Sequence, residues 1–256
     1  MSQNPLSVVI ITYNEERNIG RCLDSVKALA DEIVVLDSFS TDKTEEICKA
    51  KGARFFQHRF DGHIEQKNRA ITHAKFPLVL SLDADEAPDE TLIAEILKVK
   101  ADRKFDGYTM NRLTNYCGQW IRHSGWYPDT KLRLVDSTKG SWTGMNPHDR
   151  YELRDKSAAV KHLNGNILHY SYYRVEEHYA QAEKFSTIAA QAAFAQGKKS
   201  NVLLASIKCW AKFVRNYIIN AGFLDGKNGY IICKIAAWET WRKYIKLRDL
   251  WKTAKA

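Results

Sequence analysis

The sequence contains Leu78-Val79-Leu80-Ser81-Leu82-Asp83-Ala84-Asp85-Glu86, an apolar run of strand length that ends in three acids. In parallel α/β sheets, ligands bind at the carboxyl ends of strands. If the chain stays extended, Asp83 and Asp85 face the same side, and their like charges favour a divalent cation with oxygen ligands. The alternative is a helix start with solvated acids. The sequence therefore predicts a buried strand, with a candidate metal site at its end.

The first hundred residues around this strand alternate short apolar runs with amphipathic stretches, a pattern typical of βαβ units around a parallel sheet. The predicted strands are Ser7–Tyr13, Glu32–Asp37, Ala53–Gln57 and Leu78–Asp83. The predicted helices are Glu15–Leu29, Thr41–Lys51, Ile64–Ala74 and Asp89–Lys100. The fold class predicted from this pattern is α/β.

Polar side chains also follow the first two predicted strands. Thr12-Tyr13-Asn14-Glu15 ends the first strand, and Asp37 ends the second. Tyr13 offers an aromatic face to a base, and Asp37 can accept from a base N–H or a ribose hydroxyl. The alternative is that Tyr13 is a packing residue and Asp37 caps the next helix. Taken together, three strand ends predict a nucleotide site at one edge of the sheet.

The later part of the chain changes character twice. Residues 106–167 are polar, aromatic and glycine-containing, which predicts strands and loops. Helices are predicted at Val175–Ala195, Val202–Ala221 and Gly229–Trp251, with Gly197 ending the first of them and Asp225-Gly226 forming a turn. No window there reaches ~18 uninterrupted apolar residues, so these helices are expected not to cross a membrane.

The basic charge is concentrated at the C-terminal end. Residues 198–256 contain 13 Lys and Arg but only 3 Asp and Glu, whereas residues 1–197 have a net charge of −1. Four of the seven tryptophans lie in the same segment: Trp210, Trp238, Trp241 and Trp251. Cations interleaved with aromatic rings suit an anionic bilayer surface, and they also suit nucleic acid. We expect a domain over residues 1–197, followed by a basic amphipathic helical extension over residues 198–256.

The N-terminal residues and the cysteines suggest a compartment. Met1 to Pro5 carry no basic segment, and the apolar run that follows is too short for a signal peptide. The five cysteines are odd in number and scattered, without a Cys-x-x-Cys pair, which favours reduced structural thiols over disulfides or zinc. A cytoplasmic protein is the expectation.

Four segments together resemble the family 2 glycosyltransferases, in order and spacing: "SVVIITYNEERNIGRCLDSV", "EIVVLDSFSTDKTEEI", "QKNRAI" and "LVLSLDADE". This resemblance implies the GT-A fold, a Rossmann-like, mostly parallel sheet flanked by helices. It also implies that Thr12, Tyr13, Asn14, Glu15 and Asp37 hold the nucleobase, usually uracil, that Asp83 faces the nucleoside, that Lys67 lies near the nucleotide, and that Asp85 ligates Mg²⁺ or Mn²⁺ on the diphosphate. For Lys67 the alternative is a solvated helix face.

The segment Trp142-Thr143-Gly144-Met145-Asn146-Pro147-His148-Asp149 is similar to the W-x-G-x-x-H-E segment of lipopolysaccharide core β-1,4-glucosyltransferases. The resemblance implies that Asp149, which stands where Glu is usual, is the base that deprotonates the acceptor. A surface ion pair with Arg150 is the alternative. Arg133, His148 and His169 are candidate contacts to the diphosphate or the metal; the alternatives are a solvated strand face for Arg133 and structural roles for the histidines.

The predicted reaction is inverting transfer of a sugar, glucose from UDP-glucose, to a hydroxyl of a lipid-linked glycan such as lipopolysaccharide core. The expected partners are the UDP-sugar donor, a lipid-linked saccharide acceptor and the anionic inner face of the cytoplasmic membrane, with no nucleic acid. Two alternatives remain. A sugar nucleotidyltransferase would carry a glycine-rich phosphate loop where this chain has Tyr13-Asn14-Glu15-Glu16, and a non-enzymatic membrane- or nucleic-acid-binding protein would leave the strand-end acids unexplained.

Overall fold

The structure is a computed structural model that describes residues 4–145 and 148–254, without the side chains of residues 145 and 148. The strands are β1 (Leu6–Thr12), β2 (Glu32–Asp37), β3 (Arg54–Gln57), β4 (Leu78–Asp83), β5 (Glu86–Pro88), β6 (Gly107–Tyr116), β7 (Gln119–Trp120), β8 (Asp129–Asp136), β9 (Gly140–Met145), β10 (His148–Leu153) and β11 (Val160–Tyr172). The helices are α1 (Ile19–Val26), α2 (Thr44–Ala50), α3 (His63–Thr72), α4 (Glu90–Ala101), α5 (Val175–Ala195), α6 (Val202–Val214) and α7 (Gly226–Thr253). The predicted α/β class is confirmed.

One large sheet has the strand order β3-β2-β1-β4-β8-β6-β11-β5, and β7 pairs with β6. Its first four strands are parallel, as predicted, and β8 then pairs antiparallel with β4. The register sets Thr12 beside Asp37 and Ile11 beside Asp83. The ends of β1, β2 and β4 therefore meet at one edge of the sheet.

Both faces of the parallel strands are buried, which explains their nearly continuous apolar sequences. On one face Leu6, Val8 and Ile10 of β1 pack in a cluster with residues of α1 and α4. On the other face Val9 belongs to a second cluster that includes Ala70 of α3. Each aliphatic side chain that is fully buried in this way stabilises the folded state by roughly 1.5–3 kcal/mol relative to leaving it exposed.

Helix α1 begins four residues later than predicted, because the preceding turn is tied to a neighbouring turn. The backbone N–H groups of Asn14, Glu15 and Glu16 donate to the side chains of Ser40, Thr44 and Asp42, respectively. Asn14 also adopts a φ of 54°, a left-handed conformation that Asn tolerates better than most residues. These long-range hydrogen bonds hold residues 14–16 outside the regular helix, although the Glu15 carbonyl already accepts from the backbone N–H of Ile19 at 2.8 Å.

The chain divides into two compact units. The first comprises residues up to Arg112 together with Asp129–Tyr170; the second comprises Leu113–Pro128 and residues from Ser171 onward. This division differs from the predicted boundary after residue 197, since α5 packs against α7 within the second unit. The functional extension over residues 198–256 stays a prediction.

The second unit has its own core. Tyr116, Ile121 and Ile232 form a buried cluster, and His178 donates to or accepts from the Tyr116 hydroxyl at 3.2 Å. Burial lowers the pKa of His178 to about 4. Within residues 4–145 and 148–254, no helix is both long enough and apolar enough to span a bilayer.

Candidate active site

Asp37 lies at the end of β2 and is fully buried. Its carboxylate accepts from the backbone N–H of Ser40 at 2.8 Å, from the Ser40 hydroxyl, and from Gln57 at 3.3 Å. Helix α2 begins seven residues later, so Asp37 organises its own turn and does not cap that helix. Its predicted contact with a base stays a prediction.

The end of β1 provides both exposed and buried polar groups next to Asp37. Tyr13 is 58% exposed, which argues against the alternative of a packing residue. The Thr12 hydroxyl is buried, and no hydrogen-bond partner for it lies among the described residues. Both groups lie where the sequence predicts the nucleobase, and an aromatic face with a spare hydroxyl suits such a ligand.

Lys67 of α3 joins the end of β4 to the β9–β10 hairpin. Its Nζ lies 3.0 Å from Oδ1 of Asp83 and 2.8 Å from Oδ2 of Asp149, and it sits 4.5 Å from the centre of the Trp142 ring. The Lys67 side chain is only 4% exposed, which excludes the alternative of a solvated helix face. Asp149 therefore pairs with Lys67, while Arg150 pairs with Glu152.

Arg133 of β8 is buried beside the same acids. Its guanidinium lies 3.1 Å from Asp83 and 3.0 Å from Glu86, and Arg112 approaches Glu86 at 3.6 Å. Burial opposes the ionised form of Asp83, but the charges of Lys67 and Arg133 outweigh it and hold the pKa of Asp83 well below its usual range. Arg133 is therefore not on a solvated face: it binds Asp83 and Glu86, and its contact to a diphosphate stays a prediction.

Asp85 has a separate partner on β11. Its Oδ2 lies 3.1 Å from Nε2 of His169, and its carbonyl oxygen accepts from the backbone N–H of Tyr170 at 2.9 Å. The expectation that Asp83 and Asp85 face one side of an extended chain is wrong, because β4 ends at Asp83 and Ala84-Asp85 form a turn. Because of this turn, Asp83 pairs with the buried Arg133, whereas Asp85 pairs with the partly exposed His169.

Glu15 lies within electrostatic range of the Asp85–His169 pair. Burial, reinforced by the negative charges of Asp85 and Asp42, raises the pKa of Glu15 to about 7. A hydrogen bond from Asn18 at 2.7 Å only partly offsets this rise. A bound cation near Asp85 would favour the ionised form of Glu15 and relieve this repulsion.

The donor groups of Asp85 and His169 fit a divalent cation. A carboxylate oxygen and an imidazole nitrogen are suitable ligands for Mn²⁺, and both side chains are partly exposed. Among the side chains that the structure describes, no cluster of three or more His, Cys, Asp and Glu is placed to hold an ion. An ion at this pair would therefore need further oxygens, which a bound diphosphate supplies.

The sequence did not single out two residues that build the site. Asn68, next to Lys67, donates its amide to the Trp142 carbonyl and accepts from the Trp142 backbone N–H, both at 2.9 Å, and so fixes β9 against α3. Glu86 is buried and accepts from the backbone N–H of Asp83 at 2.9 Å. The sequence signal that could have identified them is their position in the recognised segments, Asn68 in "QKNRAI" and Glu86 in "DADE". The side chain of His148 lies outside the described residues, so its predicted contact stays a prediction.

Comparison with known proteins identifies the class. Residues 7–160 match the family model "Glycosyl transferase family 2". The chain is 32% identical over 255 residues to an uncharacterized glycosyltransferase of Rickettsia typhi, covering 96% of this chain and 87% of that one. It is 28% identical over 243 residues to the lipopolysaccharide core biosynthesis glycosyltransferase LpsC of Rhizobium meliloti, covering 89% and 86%.

Among solved structures, glucosyl-3-phosphoglycerate synthase from Mycobacterium tuberculosis, in complex with Mn²⁺, UDP and glucosyl-3-phosphoglycerate, aligns with 25% identity and a TM-score of 0.38. That alignment covers 44% of this chain and 45% of the synthase chain. The sequence matches, with the α/β fold, define a sugar transferase. The chain belongs to glycosyl transferase family 2. This membership sets aside the nucleotidyltransferase and the non-enzymatic alternatives.

Proposed function

We propose that the protein transfers glucose from UDP-glucose, with inversion, to a hydroxyl of a lipid-linked glycan such as lipopolysaccharide core, at the inner face of the cytoplasmic membrane. Support for the acceptor comes from the similarity to LpsC along most of both chains. The basic, aromatic C-terminal segment supports the membrane location. The choice of UDP and glucose rests on the family resemblance of the strand-end motifs.

The observation that carries the proposal is the ion-pair chain Asp83–Lys67–Asp149. Asp83 lies at the strand end assigned to the nucleoside, and Asp149 is the assigned base on the hairpin. Both carboxylates contact the same Lys67 ammonium group. The Asp149 side chain is 12% exposed, so it is accessible at one edge while Lys67 fixes its position. A base held beside a donor site is the arrangement that direct displacement at a sugar carbon requires.

In this mechanism Asp149 accepts the proton of the acceptor hydroxyl as that oxygen attacks the sugar carbon and the bond to the diphosphate breaks. Tyr13, Asp37 and Asp83 position the nucleoside, together with the turn that contains Thr12, Asn14 and Glu15. Asp85 and His169 are the residues that would hold Mg²⁺ or Mn²⁺. When bound, the ion neutralises the charge that develops on the leaving diphosphate. Arg133 holds Asp83 and Glu86, and it is also a candidate contact to the diphosphate.

Calorimetric titration of UDP, GDP and CDP into the full chain, with and without Mn²⁺, tests the donor half of this proposal. We expect UDP to bind most tightly and to depend on Mn²⁺. The same titration with His162→Gln serves as a matched control, because His162 lies on β11 with His169 but bonds to Thr109 at 3.1 Å. Equal binding of the three nucleotides, or metal-independent binding, would overturn the UDP and metal assignments.

A further inference from the structure

An exposed apolar strip runs along α6 and the two short helical turns that follow it, at residues 215–219 and 222–225. Leu203, Ile207 and Trp210 recur at helical spacing and are 70%, 54% and 69% exposed. We call this strip the α6 ridge. Its members are Leu203, Ile207, Trp210, Ile218, Ile219, Phe223 and Leu224, all of them exposed. Contiguous exposed apolar residues of this kind indicate an interaction surface.

Two of the other three tryptophans of the basic segment, Trp238 and Trp251, pack against aromatic side chains of α5. Trp238 packs edge-on against Tyr179, and Trp251 packs against Phe194 and donates to the Lys198 carbonyl at 2.6 Å. Two cations of α7 are similarly engaged: Arg242 and Lys246 bind Glu183 at 2.6 and 2.9 Å. Helix α7 therefore contributes packing residues to its own unit, and most of the exposed large apolar side chains of the basic segment lie on α6 and its following turns.

The charge around the α6 ridge indicates what kind of partner this surface binds. From residue 198 to residue 224 the chain contains five Lys and Arg and no Asp or Glu. Lys208 and Arg215 are exposed on the helical segment that carries the ridge. The next acid, Asp225, is buried and accepts from the backbone N–H groups of Arg122 and His123, so it does not neutralise this surface. The segment that carries the α6 ridge is thus cationic and apolar; the acid of α7 within range of it, Glu239, is partly buried and faces Lys212 and Lys243.

We infer that the α6 ridge inserts its apolar side chains into an anionic lipid leaflet, while Lys208 and Arg215 bind the phosphate headgroups. This inference deepens the membrane part of the proposed function and rests on it for its biological purpose. An amphipathic helix with a cationic flank and Trp and Leu side chains binds at the headgroup boundary in this way. A symmetric contact between two copies would instead bring two sets of five cations together without any acid.

Co-sedimentation of the full chain with vesicles tests the inference. Phosphatidylglycerol mixed with phosphatidylcholine provides the anionic surface, and phosphatidylcholine alone provides the neutral one. We expect binding to the anionic vesicles, weakened by salt, and a loss of about tenfold or more in the double variant Ile207→Ser, Trp210→Ser. Lys208→Gln with Arg215→Gln should weaken binding to anionic vesicles alone. Ile188→Ser is the matched control, since Ile188 is an exposed apolar residue on α5.

The outcomes separate this inference from the proposed function. Unchanged vesicle binding by the Ile207, Trp210 double variant, or no binding by the unaltered chain, overturns the lipid surface. A dimer that this double variant dissociates, with no vesicle binding, also overturns it and assigns the ridge to a second copy. UDP titration of the same variant reports on the donor site alone; retained UDP binding with lost vesicle binding supports the inference and shows that the first unit is folded.

Discussion

The Nζ atom of Lys67 lies 2.8 Å from Oδ2 of Asp149, although 82 positions separate the two residues in the chain. The same ammonium group contacts Asp83, so a single buried cation connects a strand of the parallel sheet to a separate hairpin. This connection makes the position of the assigned base depend on a residue outside the hairpin. Its consequences can be measured separately for stability and for activity.

Replacing Lys67 with Met should lower both stability and transfer. The change leaves Asp149 and Asp83 without the cation between them, and removing one partner of a buried ion pair costs about 3 kcal/mol or more. Urea unfolding should show this loss. The matched control is Lys49→Met, which removes an exposed i,i+4 pair with Glu45 and should cost about 1 kcal/mol or less. Equal losses of stability in Lys67→Met and Lys49→Met would show that the buried Lys67 ion pairs stabilise the fold no more than an exposed pair does.

Asp149→Asn should reduce kcat by about a hundredfold to ten-thousandfold, because Asn keeps the shape but cannot accept the acceptor's proton. The dissociation constant for UDP should stay within about twofold, since Asp149 is assigned to the chemical step. Glu152→Gln, on the same strand but paired with exposed Arg150, is the control. A fully active Asp149→Asn enzyme would show that another group takes the proton.

Asp85→Ala and His169→Gln should each remove the Mn²⁺-dependent part of UDP affinity, by about tenfold or more, and Asp85→Ala should abolish transfer. Circular dichroism should show an intact fold, because both side chains are partly exposed. Titrations with and without Mn²⁺ make the comparison. If Asp85→Ala retains transfer with added Mn²⁺, the metal assignment is wrong.

Glu15 should make stability depend on pH in metal-free protein. Its pKa is raised in the folded state from 4.5 to about 7, so the folded protein holds a proton that the unfolded chain has released. Stability should therefore fall as pH rises from 4.5 to about 7. Glu15→Gln mimics the protonated form and keeps an oxygen for Asn18. In urea unfolding, the stability of Glu15→Gln relative to the unaltered protein should increase as the pH rises across this window. Above the window this difference in stability should stay constant.

The parallel part of the fold was predictable from local sequence, whereas much of the site was not. β2 and β4 agree with their predicted bounds, because strands buried on both faces are continuous apolar runs. The contact between Asp85 and His169 depends on β11 pairing with β5, a long-range register that no local pattern specifies. Likewise, the turn at Ala84-Asp85 overrode the alternation expected of an extended chain.

The hairpin β9–β10 forms a two-stranded sheet of its own, anchored to α3 through Asn68. Asp149 pairs with Gly144 inside this hairpin, and residues 145–148 connect the two positions. The length of that connection can therefore change while Asp149 keeps its place opposite Gly144 and beside Lys67. Such a layout separates a variable stretch of chain from the carboxylate that is assigned as the base.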